Sequence, residues 1–320
     1  MTPDGATKPR VVVAGTLPAA GLDLLRDRFT VEAHGQRPDR VWLCDHAAGA
    51  TAIVADPSIP VDGALLDVAG VSLKVVSNFG VGYDNIDLHA VRERGVRATN
   101  TPDVVTNATA ELAVALMLAA ARRMGEGDAI VRRGGWHGWG PEEFLGRELT
   151  GATVGLVGFG RIARRVAELI GGFDVDLLFT TRTHQGSRYG AEQRDLYELL
   201  GASDFVSVHV PLTQDTRHLI DARALARIKR GAILVNTSRG AVVDETALVE
   251  ALHSGRLAAA GLDVYEDEPH VSPRLRALPN TVLLPHVGSA TRSTRDAMAR
   301  LCAENVIAAV EGREPPAAVV

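Results

Sequence analysis

The string VGLVGFGRIARRVAEL places Gly158, Gly160 and Ala163 directly after an apolar run and at the opening of a helical pattern. In a strand-turn-helix setting this spacing is that of a dinucleotide's phosphate-binding turn. The first glycine permits the tight turn, and the second lets a pyrophosphate approach the backbone at the positive end of the helix. Ala163 still allows close helix-strand packing, and Arg161 and Ile162, which open the helix, share the cofactor reading. Glycines that merely shape a turn are the plain alternative. About 20 residues past the first glycine, NAD sites carry an Asp or Glu for the ribose hydroxyls. Here the count lands near Leu178, and the strand end reads Thr180, Thr181, Arg182, Thr183. The stretch LLFTTRTHQG contains no carboxylate, and Asp174 and Asp176 fall at the beginning of that strand, the wrong edge of the sheet. A guanidinium pairs bidentately with a phosphate, so Arg182, flanked by Thr181 and Thr183, suits the 2'-phosphate of NADP. A solvated surface arginine is the alternative. The expected cofactor is NADPH, with NADH possible but weaker.

Three further strings carry reactive residue types: NTSRGAVVDE with Arg239, GLDVYEDEP with Asp263 and Glu268, and LLPHVGSAT with His286. Imidazole, with an ordinary pKa of about 6.5, gives and takes protons near neutrality, and a neighbouring carboxylate favours its charged form. A guanidinium keeps its charge throughout this range. Taken singly, each has a bland reading: a strand-end histidine, a turn arginine, one of three acids in an exposed loop, a turn-capping aspartate. What they do depends on whether the fold brings them together.

The elements between them favour that. The runs RVVVAGT, TAIVAD and LKVVSNFG, then TVGLVGFG, VDLLFTT, FVSVHV, AILVNTS, LAAAGLDV and TVLLPH, alternate with helical patterns. Continuously apolar runs of this kind are strands buried on both faces of a parallel sheet. The expected fold class is α/β, doubly wound, in two series. At 320 residues two cores are natural. The series part near residue 100, where Pro102 and Asp103 mark a helix start before the apolar ELAVALMLAAARR. A final helix from about Ser289 follows the last strand and is placed with the first unit, giving domains of 1–100 with 288–320, and 101–287. In such folds ligands bind outside the carboxyl ends of the strands, where the three strings all fall. The segment RRGGWHGWGPEEFLGRELTG holds two of the three tryptophans, Trp136 and Trp139. It reads either as an ordinary loop or as one whose aromatics pack on a partner subunit or cover the cleft.

Composition narrows the function classes. With 46% hydrophobic and 23% charged residues, the chain reads as a soluble globular protein. A net charge of -5 and scattered arginines without a basic stripe argue against nucleic-acid or membrane partners. Cys44 and Cys302 lie in no CxxC pattern, so they read as reduced core thiols, and no metal site is expected. The apolar run near the amino terminus is short for a signal peptide and reads as a first strand. Only ten uncharged residues separate Glu111 from Arg122, against the roughly 20 of a membrane span. A cytoplasmic protein with a small-molecule partner is the resulting expectation.

Together with VSNFGVGYDNID, the three strings resemble the D-isomer-specific 2-hydroxyacid dehydrogenase family, in the right order over nearly the whole chain. TPDVVTNATAELAVALML, SRGAVVDE and LPHVGSATRSTRDAM are most similar to its glyoxylate and hydroxypyruvate reductase branch. The resemblance implies Arg239 as the substrate-orienting arginine, Glu268 as the acidic partner and His286 as proton donor and acceptor. It implies substrate carboxylate binding by the backbone N–H groups of Val81 and Gly82, with His286 and Arg239 on the same substrate, between the two domains. Asp263 resembles the aspartate facing the nicotinamide carboxamide, and Pro211, Thr237 and Gly288 complete the cofactor set. The family also brings a flavodoxin-like catalytic domain, an inserted Rossmann-type cofactor domain and a homodimer. Reduction of a 2-keto acid needs a hydride on carbon, a proton on oxygen and positive charge near the carboxylate, which these residue types supply. This chain departs from the common pattern at Ala163 and Thr181, which puts NAD in doubt rather than the chemistry. His209 reads as structural, and His137, His184 and His218 carry no assigned role. Reductases for bulkier 2-keto acids, such as hydroxyphenylpyruvate or 2-ketogluconate, and a dinucleotide-sensing interaction protein are the alternatives. Phosphoglycerate dehydrogenase is disfavoured because its usual cofactor is NAD.

Overall fold

The computed structural model describes residues 8–183 and 189–320. His184, with the rest of LLFTTRTHQG beyond Thr183, lies outside them. The chain divides into two compact units, one made of the residues up to Val105 together with Ser289–Val320, the other of Thr106–Gly288.

In the first unit β1 (Arg10–Val13), β2 (Thr30–Ala33), β3 (Ala52–Ala55), β4 (Val75–Asn78) and β5 (Arg97–Thr99) form a parallel sheet in the order β2-β1-β3-β4-β5. This is the flavodoxin-like order. The apolar runs of β1, β3 and β4 are buried on both faces, as their sequences predict. The edge strand β2, TVEA, is only half buried and carries a glutamate, which hides it from a hydrophobicity reading. Helix Arg292–Val310, capped by the Thr291 side chain on Thr294 N–H, buries Met298, Ala299, Cys302 and Val306 beside β1, β3 and β4.

In the second unit β6 (Thr153–Val157), β7 (Asp176–Thr180), β8 (Glu192–Gln193), β9 (Phe205–Val208), β10 (Ala232–Asn236), β11 (Leu257–Leu262) and β12 (Thr281–Leu283) form a parallel sheet in the order β12-β11-β10-β9-β6-β7-β8. Two-residue β8 is too short to show a pattern. Helix Thr106–Ala121 is nearly apolar all round; one face buries Ala113, Leu116 and Met117 in the core that also holds Val166 and Ile170 of helix Arg161–Ile170, while Glu111 and Ala115 on the other are exposed. It does not begin at Pro102 and Asp103 as the sequence suggests. Asp103 takes φ +67°, a left-handed conformation that no α-helix accepts, and the helix starts three residues later.

Both cysteines are free, and burial pushes the Cys302 thiol up to about 12, which makes it inert. Cys44 is half buried and packs against the core of the first unit. Among the described residues no helix is long and apolar enough to cross a membrane, and no three His, Cys, Asp or Glu side chains group as metal ligands. Trp136 and Trp139 are 61% and 85% exposed, next to a helix, Met124–Arg132, that buries none of its residues.

Candidate active site

Register assembles the site. Thr180 pairs with Val157, Val157 with Val208, Val208 with Asn236, Asn236 with Leu262, and Leu262 with Leu283. The residues that follow, Thr181, Gly158, His209, Thr237, Asp263 and Leu284, therefore leave the sheet at one carboxyl edge. Chain order reverses between β6 and β9, which makes that crevice the topological switch point where ligands bind.

The glycine turn fits a dinucleotide. Gly158 takes φ +93°, and a Cβ there would lie 2.8 Å from Val210 Cγ1 and 3.0 Å from the His209 carbonyl carbon. Gly160 caps the helix Arg161–Ile170 and faces open space where a side chain would stand. Buried Ala163 packs into the core. Arg161 is exposed and Ile162 half buried at the helix start. Thr237 Oγ1 and His209 Nε2 are buried with no hydrogen-bond partner among the described residues, although buried polar atoms are normally paired. Two orphaned groups at the carboxyl edge, beside a turn in which Gly158 admits no Cβ and Gly160 leaves open space before the helix N-terminus, suit a nicotinamide dinucleotide. Burial pushes the His209 imidazole down to about 4, so it is neutral and no proton donor. Pro211 lies on the same loop, its carbonyl taken by Thr216 Oγ1 at 2.6 Å. At the end of β7, Thr181 is half buried and Thr183 exposed. The Arg182 side chain is 86% exposed, 3.9 Å from the similarly exposed Asp215.

The acid-base residues meet. His286 Nδ1 lies 2.7 Å from Glu268 Oε2, and Glu268 Oε1 accepts the Tyr265 N–H at 3.0 Å. Burial alone would raise the Glu268 carboxyl. The hydrogen bond and charge of His286, the Tyr265 N–H and the charge of Arg239 outweigh it, holding the carboxyl below its ordinary range. His286 itself takes φ +54°, an uncommon conformation for a side-chain-bearing residue and one that collects at functional sites.

Asp263 imposes that conformation. Its carbonyl accepts the His286 N–H at 2.9 Å, while its carboxylate accepts Val287 N–H and Gly288 N–H, each at 2.7 Å. The carboxylate is thus a cap for the histidine turn, the plainer of its two sequence readings, and the Gly288 N–H is taken by it. Burial raises the Asp263 carboxyl, while the Val287 and Gly288 N–H groups and His286 pull it down; burial wins. The Gly288 carbonyl accepts from Thr109 Oγ1 at 3.2 Å.

Tyr265, Asn236 and Gly240 are positioning residues that sequence reasoning missed. The Tyr265 hydroxyl donates to the Leu284 carbonyl at 2.9 Å, tying the Glu268 loop to the end of β12. Burial and the carboxylates of Asp263, Glu268 and Glu245 push that hydroxyl up to about 12, so it stays a donor. Asn236 Nδ2 donates to the Arg239 carbonyl at 2.9 Å, and its Oδ1 accepts from Ser238 N–H and Oγ at 3.0 and 2.9 Å. This side-chain turn presents Arg239 just past β10, with its Nη1 donating to the Ser238 carbonyl at 2.9 Å. A Cβ on Gly240 would fall inside the Tyr265 carbonyl, so the arginine turn and the glutamate loop touch backbone to backbone. The quoted strings contain all three residues, but none shows a periodicity that marks it. Overpacking typically costs about 1–3 kcal/mol, and Gly240→Ala is expected at or above the upper end, because backbone rather than a flexible side chain must move. Denaturant unfolding measures it; an unchanged midpoint would disprove the contact.

His218, unassigned by sequence, lies 2.6 Å from Glu266, two residues before Glu268, while His137 is exposed. Val81 and Gly82 lie in the loop after β4, in the first unit.

Residues 114–288 match the family described as D-isomer specific 2-hydroxyacid dehydrogenase, NAD binding domain. A glyoxylate reductase of Thermococcus litoralis is 44% identical over 318 residues, covering 97% of this chain and 96% of that protein. Among solved structures, a glyoxylate reductase from Paecilomyes thermophila is 34% identical, with a TM-score of 0.88 over 98% of this chain and 99% of that one. An NADPH-dependent glyoxylate/hydroxypyruvate reductase from Sinorhizobium meliloti, in complex with NADP and malonate, is 34% identical, with a TM-score of 0.87 over 98% and 97% of the two chains. The chain belongs to the D-isomer specific 2-hydroxyacid dehydrogenase family. It is an oxidoreductase with a nicotinamide dinucleotide cofactor.

Proposed function

We propose that this enzyme reduces glyoxylate and hydroxypyruvate to the D-2-hydroxy acids, preferring NADPH. The observation that carries the reading is the 2.7 Å pair of His286 and Glu268 at the strand edge that also bears the glycine turn. When bound, the reduced cofactor supplies the hydride. Gly158, Gly160, Arg161 and Ile162 would hold its pyrophosphate, and Pro211, Thr237, Asp263 and Gly288 would line its nicotinamide end. His286 turns Nδ1 to Glu268, which leaves Nε2 to give its proton to the substrate's keto oxygen. Glu268, kept ionised, stabilises the imidazolium before transfer and holds the ring's orientation. Arg239 is a fixed cation that clamps the substrate and offsets charge developing on that oxygen. The N–H groups of Val81 and Gly82 take the substrate carboxylate.

The NADPH preference rests on Arg182, exposed just past β7 in a stretch, Leu177–Thr183, that carries no carboxylate of its own; the nearby Asp215, 3.9 Å away, is as exposed as the arginine. The Sinorhizobium relative, described with NADP, supports it. The relatives' names favour small keto acids over hydroxyphenylpyruvate or 2-ketogluconate. A partner that is a second copy of the chain is proposed on the exposed Trp136, Trp139 and Leu145, large apolar side chains within ten residues of one another in sequence. A cytoplasmic location completes the reading.

The test is a panel of 2-keto acids with NADPH and with NADH, followed by loss of reduced-cofactor absorbance, with chiral analysis of the glycerate formed from hydroxypyruvate. D-glycerate is expected. An L product would overturn the assigned geometry, and cofactor binding without turnover of any keto acid would favour a dinucleotide sensor instead.

A further inference from the structure

The loop that follows β4 is held by its carbonyls. That of Gly80 accepts the Thr101 N–H at 3.0 Å, that of Val81 accepts Asn100 Nδ2 at 2.7 Å, and that of Gly82 accepts Asn78 Nδ2 at 2.6 Å. The peptide bonds from Gly80 to Tyr83 are trans. In a planar trans peptide the N–H points opposite to its C=O. Three carbonyls drawn toward Asn78, Asn100 and Thr101 therefore turn the N–H groups of Val81, Gly82 and Tyr83 to the other face of the loop. The loop is partly exposed there, Val81 by 36% and Tyr83 by 41%. Successive N–H groups on one side of a turn make an anion-binding concavity.

The side chains that turn the loop are themselves fixed. Asn78 is fully buried and exchanges amide hydrogen bonds of 3.1 and 3.2 Å with Asn85. Asn85 Nδ2 in turn donates to the carbonyls of Asp56 and Ile59 at 3.2 and 3.0 Å. Asn100 is buried, its carbonyl accepts Asn305 Nδ2 at 3.0 Å, and its N–H donates to the Ala317 carbonyl at 3.2 Å. Asn305 Oδ1 accepts the Ala317 N–H at 3.0 Å, so the last helix and the chain beyond it seat Asn100. A buried amide stabilises a fold poorly unless fully paired, and an apolar residue would fill either position. Directing the loop explains why amides stand there.

We propose that Asn78 and Asn100, the latter seated by Asn305 and Ala317, are positioning residues for the substrate carboxylate. They set the direction of the Val81, Gly82 and Tyr83 N–H groups, and so the affinity for the keto acid, without touching substrate or cofactor. The proposal rests on the reduction of 2-keto acids argued above.

The test uses the full-length enzyme with saturating NADPH and varied hydroxypyruvate. Asn100→Ala and Asn78→Ala should each raise KM about tenfold, as for one misaligned hydrogen bond to a charged group, with a much smaller change in kcat. The Kd for NADPH, read by cofactor fluorescence, should not move. The inhibition constant of oxalate, which offers carboxylates but no reducible carbonyl, should rise with KM. Asn305→Ala should act in the same direction, more weakly. If an alanine variant does not fold, Asn100→Asp, similar in shape but with no donor at that position, carries the same readings. Wild-type turnover combined with unmoved KM and oxalate inhibition in the variants overturns the proposal alone. A wild type that binds NADPH yet reduces no 2-keto acid overturns the functional reading and this proposal with it.

Discussion

His286→Ala is expected to lower kcat by about 10² to 10⁴, the range for loss of a general acid, while the Kd for NADPH stays nearly unchanged. The split follows from position. His286 follows β12 at the far end of the sheet order from β7, where Arg182 lies, and the glycine turn follows central β6. On the proposed roles, removing the imidazole strips proton transfer and leaves the glycine turn and Arg182 in place. Stopped-flow turnover and a fluorescence titration check the two halves, and a kcat within a factor of a few of wild type would remove His286 from proton transfer.

The same pair sets the pH dependence. Glu268 is held below the ordinary carboxylate range, so it is ionised at neutrality and loses its charge only as pH falls through that lowered value. The stability it contributes is present above the unfolded carboxyl pKa of about 4.3 and is lost below it. Glu268→Gln removes the carboxyl that titrates below its ordinary range, so the acid limb that it sets in kcat/KM for keto-acid reduction should disappear. An unchanged profile would remove Glu268 from the pair.

The second large effect concerns the cofactor. A hydrogen bond to a charged group is worth about 1.5–3 kcal/mol, so Arg182→Ala should weaken NADPH use by roughly tenfold to somewhat over a hundredfold and leave NADH use nearly intact. Asp215, 3.9 Å away, is no rival to a phosphate, since both side chains are more than four-fifths exposed and their attraction is screened. Thr181→Asp should do more. It places a carboxylate against the phosphate and offers an acceptor to the free ribose hydroxyls of NADH, so preference should swing toward NADH. The measurement is the ratio of kcat/KM for the two cofactors at one ionic strength. A wild-type ratio at or below unity would mean that Arg182 serves only solvent.

The parallel α/β class is legible in the chain, because strands buried on both faces must be apolar throughout, and those runs stand out. The sequence also marked the glycine turn and the three strings that end strands, since parallel strands place their carboxyl ends on one edge whatever the order. It did not show β2, β5 or β8, two edge strands and a two-residue pairing that are too short or too little buried to leave a pattern. Nor did it show that helix Thr106–Ala121 starts past Asp103, because a single left-handed residue leaves no periodic trace. Which polar groups meet depends on the folded arrangement of strands and helices. Asp263 and His286 are 23 residues apart, yet strand pairing brings the Asp263 carboxylate onto the turn that aims the imidazole. Gly240 and Tyr265 meet because β10 and β11 are neighbours, and Asn100 is seated by a helix from the other end of the chain. Hydrogen bonds of this kind join residues distant in sequence through backbone groups that every residue possesses, so residue type cannot announce them.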